Sequence, residues 1–214
     1  MAPQRQPGTT RALILAAALQ RFADEGFASA SLTDIASDVG IKRPSLLHHF
    51  PSKEALYREV LIAELVDWTS LVNVAIVGGS GGWEKAERVL VAAFEYFEAH
   101  PAFIRLTRRE ALGSGPMLSE ELGEVLRPMF DSAVDFLERE MDAGRFRRYD
   151  AAQFLLTGYG AVLSYLSDAP LAAKLLGIDP LSPEALAARR RHVLDLLRGA
   201  LDPDYQSQDN QQDN

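Results

Sequence analysis

Apolar residues recur along most of the chain at intervals of three and four, the period of a helix with one buried face. From Thr10 to Glu25 they fall at Ile14, Leu15, Ala18, Leu19 and Phe22, and Gly26 ends the stripe. "SLTDIASDVG" then opens on Ser31, with Asp34 three residues on, a near capping box that uses Asp in place of Glu. This second helix is short and stops at Gly40. A third is expected from about Arg43 to His49, with Pro44 tolerated in its first turn. Pro51 separates it from a fourth, capped by Ser52 and running through "KEALYREVLIAELVDWTSLVNVAI". Strand alternation is nowhere sustained.

"GGSGG", residues 78–82, reads as a linker. "WEKAERVLVAAFEYFEAH" predicts a fifth helix and "AFIRLTRREAL" a sixth, followed by a "GSGP" loop. The seventh runs from about Ser119 to Ala143, with apolar residues at Leu122, Leu126, Met129, Ala133 and Leu137. Pro128 lies inside it and is expected to kink it, because the ring displaces the carbonyl four residues back. "AAQFLLTGYGAVLSYL" predicts an eighth helix, and "SPEALAARRRHVLDLLRGAL" a last one with Ser182 as cap and Pro183 at its first position. The chain is therefore expected to be all-α, with about nine helices. Residues 1–56 form a three-helix head with a helix-turn-helix, 57–203 a helical bundle, and 204–214 a polar tail expected to be disordered.

Composition narrows the function. The 214 residues include no Cys, which excludes a disulfide framework and a thiolate metal site. No apolar run approaches the roughly 18 residues of a membrane span. The N-terminus has no apolar core before a cleavage site, so a cytoplasmic location is expected. The net charge of −8 argues against bulk coating of nucleic acid. Its distribution changes that picture. Residues 1–60 carry seven basic and six acidic side chains, the remainder fifteen and twenty-four. A near-neutral head sits on an acidic body.

Two short helices joined by a Gly-containing turn form a helix-turn-helix, whose second helix can enter a major groove. Leu32, Ile35, Val39, Ile41 and Leu46 are expected inside the unit, and Ala36 is small enough for close packing. In "KRPSLLHHF", residues 42–50, Arg43, Ser45 and His48 point outward while Leu46 and Phe50 anchor the helix from behind. Lys42 and Lys53 flank it as phosphate contacts, which fix register without reading sequence. A surface helical hairpin with solvated Lys42 and Arg43 is the alternative on spacing alone.

The stretch "ILAAALQRFADEGFASASLTDIASDVGIKRPSLLHHFPSKEAL" resembles the DNA-binding region of the tetracycline-repressor (TetR) family of bacterial regulators. The resemblance rests on Ile14, Ala17, Phe22, Gly26, Phe27, Ile35, Ala36, Gly40, His49, Phe50, Lys53 and Leu56, and covers about a fifth of the chain. It implies a homodimer, an effector pocket in the C-terminal helices and release of a palindromic double-stranded operator when a small apolar or amphipathic effector binds. It also implies that Ser31, Thr33, Arg43, Pro44, Ser45 and His48 face DNA, with Lys42, His49 and Lys53 near the backbone. Two residues depart from the family's pattern. Lys42 stands where Ser usually caps the recognition helix, giving up a side-chain acceptor at a cost of about 1 kcal/mol. Leu47 stands where a Tyr often bonds to phosphate, so that contact is not expected.

No catalytic constellation competes with this reading. His48 and His49 are adjacent and point about 100° apart, His100 and His192 stand alone, and HExxH, phosphate-cradling and triad patterns are missing. No cofactor, metal or enzymatic activity is expected. Aromatic residues concentrate in the C-terminal helices and are mostly core. Under the resemblance, Phe97, Phe103, Arg105, Arg109, Phe130, Gln153 and Tyr159 are the candidate effector-binding residues, since such sites are apolar with few polar groups. An apolar stripe on the last helix (Leu186, Val193, Leu197, Leu201) and small residues Gly158, Ala161 and Ser164 on the eighth are the candidate dimer faces. The rival function is a small-molecule-binding helical protein that has lost DNA binding, which Leu47 and the acidic total favour.

Overall fold

The computed structural model describes residues 9–76, 81–113 and 119–205. Among these residues all regular structure is helical. In chain order the helices are α1 (Thr10–Ser29), α2 (Leu32–Asp38), α3 (Arg43–His49), α4 (Lys53–Ile76), α5 (Gly82–Ala99), α6 (Pro101–Ala111), α7 (Ser119–Asp142), α8 (Ala151–Ser167), α9 (Ala169–Leu176) and α10 (Pro183–Leu201). The helix absent from the sequence reading is α9. It is two turns long, begins at Ala169 with Pro170 in its first turn, and closes on Gly177 at φ 68°, too short for periodicity to reveal. No helix among the described residues is long and apolar enough to cross a membrane.

The chain divides into two compact units. The first holds residues up to Leu71 together with His100–Val125, so the head is accompanied by α6. Its core is built from the α1 stripe (Ile14, Ala18, Phe22), Ile35 and Ala36 of α2, Leu46 and Phe50 at α3, and Leu56, Tyr57 and Leu61 of α4. Val39 and Ile41, expected inside, are only half-buried, because they belong to the turn rather than to a helix face. The Phe22 and Phe27 rings meet the Tyr57 ring edge-on, at 4.9 and 5.2 Å between centroids. The Tyr57 hydroxyl donates to the buried Glu110 carboxylate of α6. Burial first, and then that carboxylate, push the Tyr57 pKa well above its ordinary value. α1 and α2 are joined by Arg21, which grips Asp38 with two bonds of 2.7 and 2.9 Å.

The second unit holds Val72–Ala99 and the chain from Leu126 onward. α5 packs on α8 and α10, and α9 packs on α8. Beside them Leu137, Met141, Phe146, Ala151 and Leu201 form a buried cluster against Trp83 and Phe136. α7 carries Pro128 in its interior and continues to Asp142. The segment expected to be tail starts with a placed residue, since the Tyr205 hydroxyl donates to Asp195 and the Arg198 guanidinium lies 4.5 Å from the ring centroid. Residues 206–214, and most of the "GGSGG" and "GSGP" loops, lie outside the described residues.

Glu140 is the polar anchor of this unit. Its buried carboxylate accepts the Gly82 backbone N–H at the start of α5 (2.9 Å) and the Arg145 guanidinium (2.9 Å to Oε1). The guanidinium first, then that N–H, hold the carboxyl below its ordinary value of 4.5 despite burial. The unfolded chain therefore binds this proton more readily than the folded one, so the contribution is present above about pH 4.5 and lost as pH falls through the lower folded value. Replacing Glu140 by Gln should destabilise the protein by about 1–3 kcal/mol at pH 7 and flatten the acid limb of its stability profile. Thermal melts of both proteins between neutral and acid pH check this.

Candidate nucleic-acid interface

The head exposes a concavity of about 520 Å³. The start of α2 contributes Ser31, Leu32 and Thr33, α3 contributes Arg43 and Leu47, and the start of α4 contributes Pro51, Ser52 and Lys53. Local sequence explains why these elements begin here. The Ser31 hydroxyl accepts the Thr33 N–H (3.1 Å), and the Ser52 hydroxyl accepts the Ala55 N–H (3.1 Å). Both are N-cap bonds, which satisfy orphan donors of a first turn and leave the others aimed outward. Between α2 and α3 the turn is closed by Gly40 at φ 74°, with Ile41 N–H donating to Ala36 O (2.9 Å). Only glycine enters that region without strain. α3 has Lys42 as its N-cap and no side-chain cap bond, as a lysine there dictates.

The nine residues expected to meet DNA divide into two groups. Ser31, Thr33, Arg43 and Lys53 line the concavity together. Lys42, Pro44, Ser45, His48 and His49 lie exposed along α3 beside it. Lys53 is placed differently from expectation. Its ammonium donates to the Ala28 carbonyl (3.1 Å) and lies 4.7 Å from the centre of the Phe27 ring. Part of its hydrogen-bonding capacity thus holds the end of α1, leaving N–H directions for an external anion. Four lining residues lie outside the expected set: Leu32, expected inside the unit, Pro51, expected only as a helix separator, Ser52, expected only as a cap, and Leu47, expected only as a missing tyrosine. Glu54 adds a carboxylate in the first turn of α4, held below the ordinary range by its own backbone N–H and then by the Ser52 hydroxyl.

The candidate effector residues are carried by four helices. Phe97 is buried on α5 and Phe130 half-buried on α7, while Gln153 and Tyr159 are exposed on α8, Tyr159 by 49%. Phe103 is buried on α6. Arg105 and Arg109, on the same helix, reach to α1. Arg109 donates to the Ala23 and Asp24 carbonyls, both at 3.1 Å, and Arg105 pairs with the Asp24 carboxylate at 2.8 Å. These bonds tie α6 to α1. The dimer stripe is corrected in part. Val193, Leu197 and Leu201 are buried within the chain, and the apolar side chains exposed on α8 and α10 are Leu156, Tyr159 and Leu196.

Two family models match. "Bacterial regulatory proteins, tetR family" covers residues 14–60, and "Tetracyclin repressor-like, C-terminal domain" covers residues 84–197. The chain is 33% identical over 147 residues to the HTH-type transcriptional repressor KstR2 of Mycobacterium tuberculosis, across 66% of this chain and 72% of that one. It is 27% identical over 164 residues to the HTH-type transcriptional regulator RutR of Escherichia coli, across 77% of each chain. The solved KstR2 structure superposes with a TM-score of 0.75 at 23% identity, over 93% of this chain and 98% of that one. AibR, in complex with isovaleryl coenzyme A and operator DNA, shares the fold at a TM-score of 0.72 and 13% identity, over 88% and 97%.

The two arginines of α6 make a contrast that tests their placement. Arg109→Ala leaves two helix-end carbonyls short of a donor and should lower stability by about 1–3 kcal/mol. Arg105→Ala removes one exposed ion pair and should change it by less than about 1 kcal/mol. Denaturant unfolding of both variants gives the comparison.

Proposed function

This chain belongs to the tetracycline-repressor family and is a DNA-binding transcriptional regulator, and on that footing we propose that it is a homodimeric repressor released from a palindromic operator by a small effector. One observation carries the DNA-reading assignment. The starts of α2 and α4 and the outer face of α3 converge on a single groove, with Arg43 exposed at its recognition helix. Arg43 in the first turn of α3 is suited to the N7 and O6 of guanine, and Ser31, Thr33, Pro44, Ser45 and His48 to neighbouring base edges and sugars. Lys42, His49 and Lys53 serve the phosphates, Lys53 while also bracing α1. The operator sets a cytoplasmic location, and no catalytic step belongs to the reading.

The effector is proposed to be apolar or amphipathic. Support comes, by likeness of fold alone, from AibR in complex with isovaleryl coenzyme A. Dimerisation is assigned to the exposed apolar side chains of α8 and α10, Leu156, Tyr159 and Leu196, which suit a helical face shared between two copies.

Reading and holding are separated by two variants. Arg43→Ala should cost about 1–3 kcal/mol per half-site, relax base preference at one position and barely change non-specific binding. Lys53→Ala should weaken binding to all sequences alike and flatten the salt slope by roughly 0.9 per lost contact. Isotherms on operator and scrambled DNA at several salt concentrations decide between them. Equal weakening of both DNAs by Arg43→Ala makes Arg43 a backbone contact.

A further inference from the structure

α3 carries one apolar side chain on its groove-lining side that the core of the head does not use. Its core contacts are made by Leu46, 0% exposed, and Phe50 just after it, 1% exposed. Leu47 is half-buried and lines the concavity together with Leu32 and Pro51 and beside Arg43, Ser31, Thr33, Ser52 and Lys53. Each of the last five offers hydrogen bonds. Leu47 offers none, so it can hold neither a phosphate oxygen nor a polar base edge. The one apolar group that a base presents in the major groove is the C5-methyl of thymine.

Spacing says where that thymine lies. Arg43 and Leu47 are four residues apart and share a helix face. Four residues advance about 6 Å along the axis. Nucleotides of one strand advance about 3.4 Å each along the duplex. A side chain one turn beyond Arg43 therefore meets a base pair one or two steps beyond the pair that Arg43 contacts. We propose that Leu47 is a specificity-determining residue that reads the 5-methyl of a thymine in each half-site, within two base pairs of the pair met by Arg43. The inference rests on the assignment of α3 as the DNA-reading helix.

The test uses the full chain and the duplex that it enriches from a random-sequence pool. Each thymine is replaced in turn by uracil, which deletes the methyl and nothing else. At one position per half-site the replacement should weaken the wild-type protein about fourfold, the contribution of one buried methyl. Leu47→Ala should be indifferent to uracil at that position while keeping the wild-type response elsewhere. Leu47→Asn, close in volume, should show the same selective indifference, so the result does not hang on one variant's folding. The proposal is overturned by a flat uracil scan on the wild type. It is equally overturned by a sensitive position that both variants retain, or by an enriched duplex with no thymine within two pairs of the Arg43 contact. If the wild type enriches no duplex at all, the DNA-reading assignment itself fails, and that outcome is told apart by the lack of any binding.

Discussion

The head depends on how the chain ends its first helix. Gly26, at φ 80° and ψ 164°, breaks α1 four residues before Ala30. A helix that stops leaves its last carbonyls without intrahelical donors and its end partially negative. α1 has no basic residue of its own in its last turn. The missing charge comes from elsewhere: Arg109 of α6 takes the Ala23 and Asp24 carbonyls, and Lys53 of α4 takes that of Ala28. One backbone break thus recruits two cations and fixes the chain on which α2 begins. Phe27, just beyond the glycine, turns its ring to Tyr57 and to the Lys53 ammonium. Alanine at Gly26 would meet the strain of its φ and bring a methyl to 3.4 Å from the Arg109 guanidinium.

From that fixed point the groove follows by short local rules. Ser31 and Ser52 start two helices on the same concavity, Gly40 turns the chain between them, and Leu46 and Phe50 seat α3 from behind. An acidic protein can meet a polyanion this way because the attraction is local. The residues that line the groove include Arg43 and Lys53, while the Asp38 carboxylate at the end of α2 is paired with Arg21, whose guanidinium holds it below its ordinary pKa. A net charge of −8 then opposes indiscriminate association and leaves affinity to geometry.

The sequence was most informative where local chemistry decides. The boundaries of α2 and α3 and the caps Ser31, Ser52 and Ser182 follow from residue type and spacing, and the structure has them as read. The family followed from the same residues. What escaped was set by tertiary partners. Nothing near Arg105 or Arg109 in the chain announces α1, which lies some eighty residues away. The stripe Val193, Leu197 and Leu201 is apolar whether it faces its own bundle or a second copy, and periodicity cannot tell these apart. Leu47 was legible only as an absence, because its role depends on what else lines the groove.

Amide hydrogen exchange on Gly26→Ala, compared with the wild type, tests the central claim most directly. If the break at Gly26 and its two cations hold the head together, exchange should quicken through α2 and α3 as well as at the end of α1. Unchanged protection of α2 and α3, with loosening confined to the end of α1, would contradict the account.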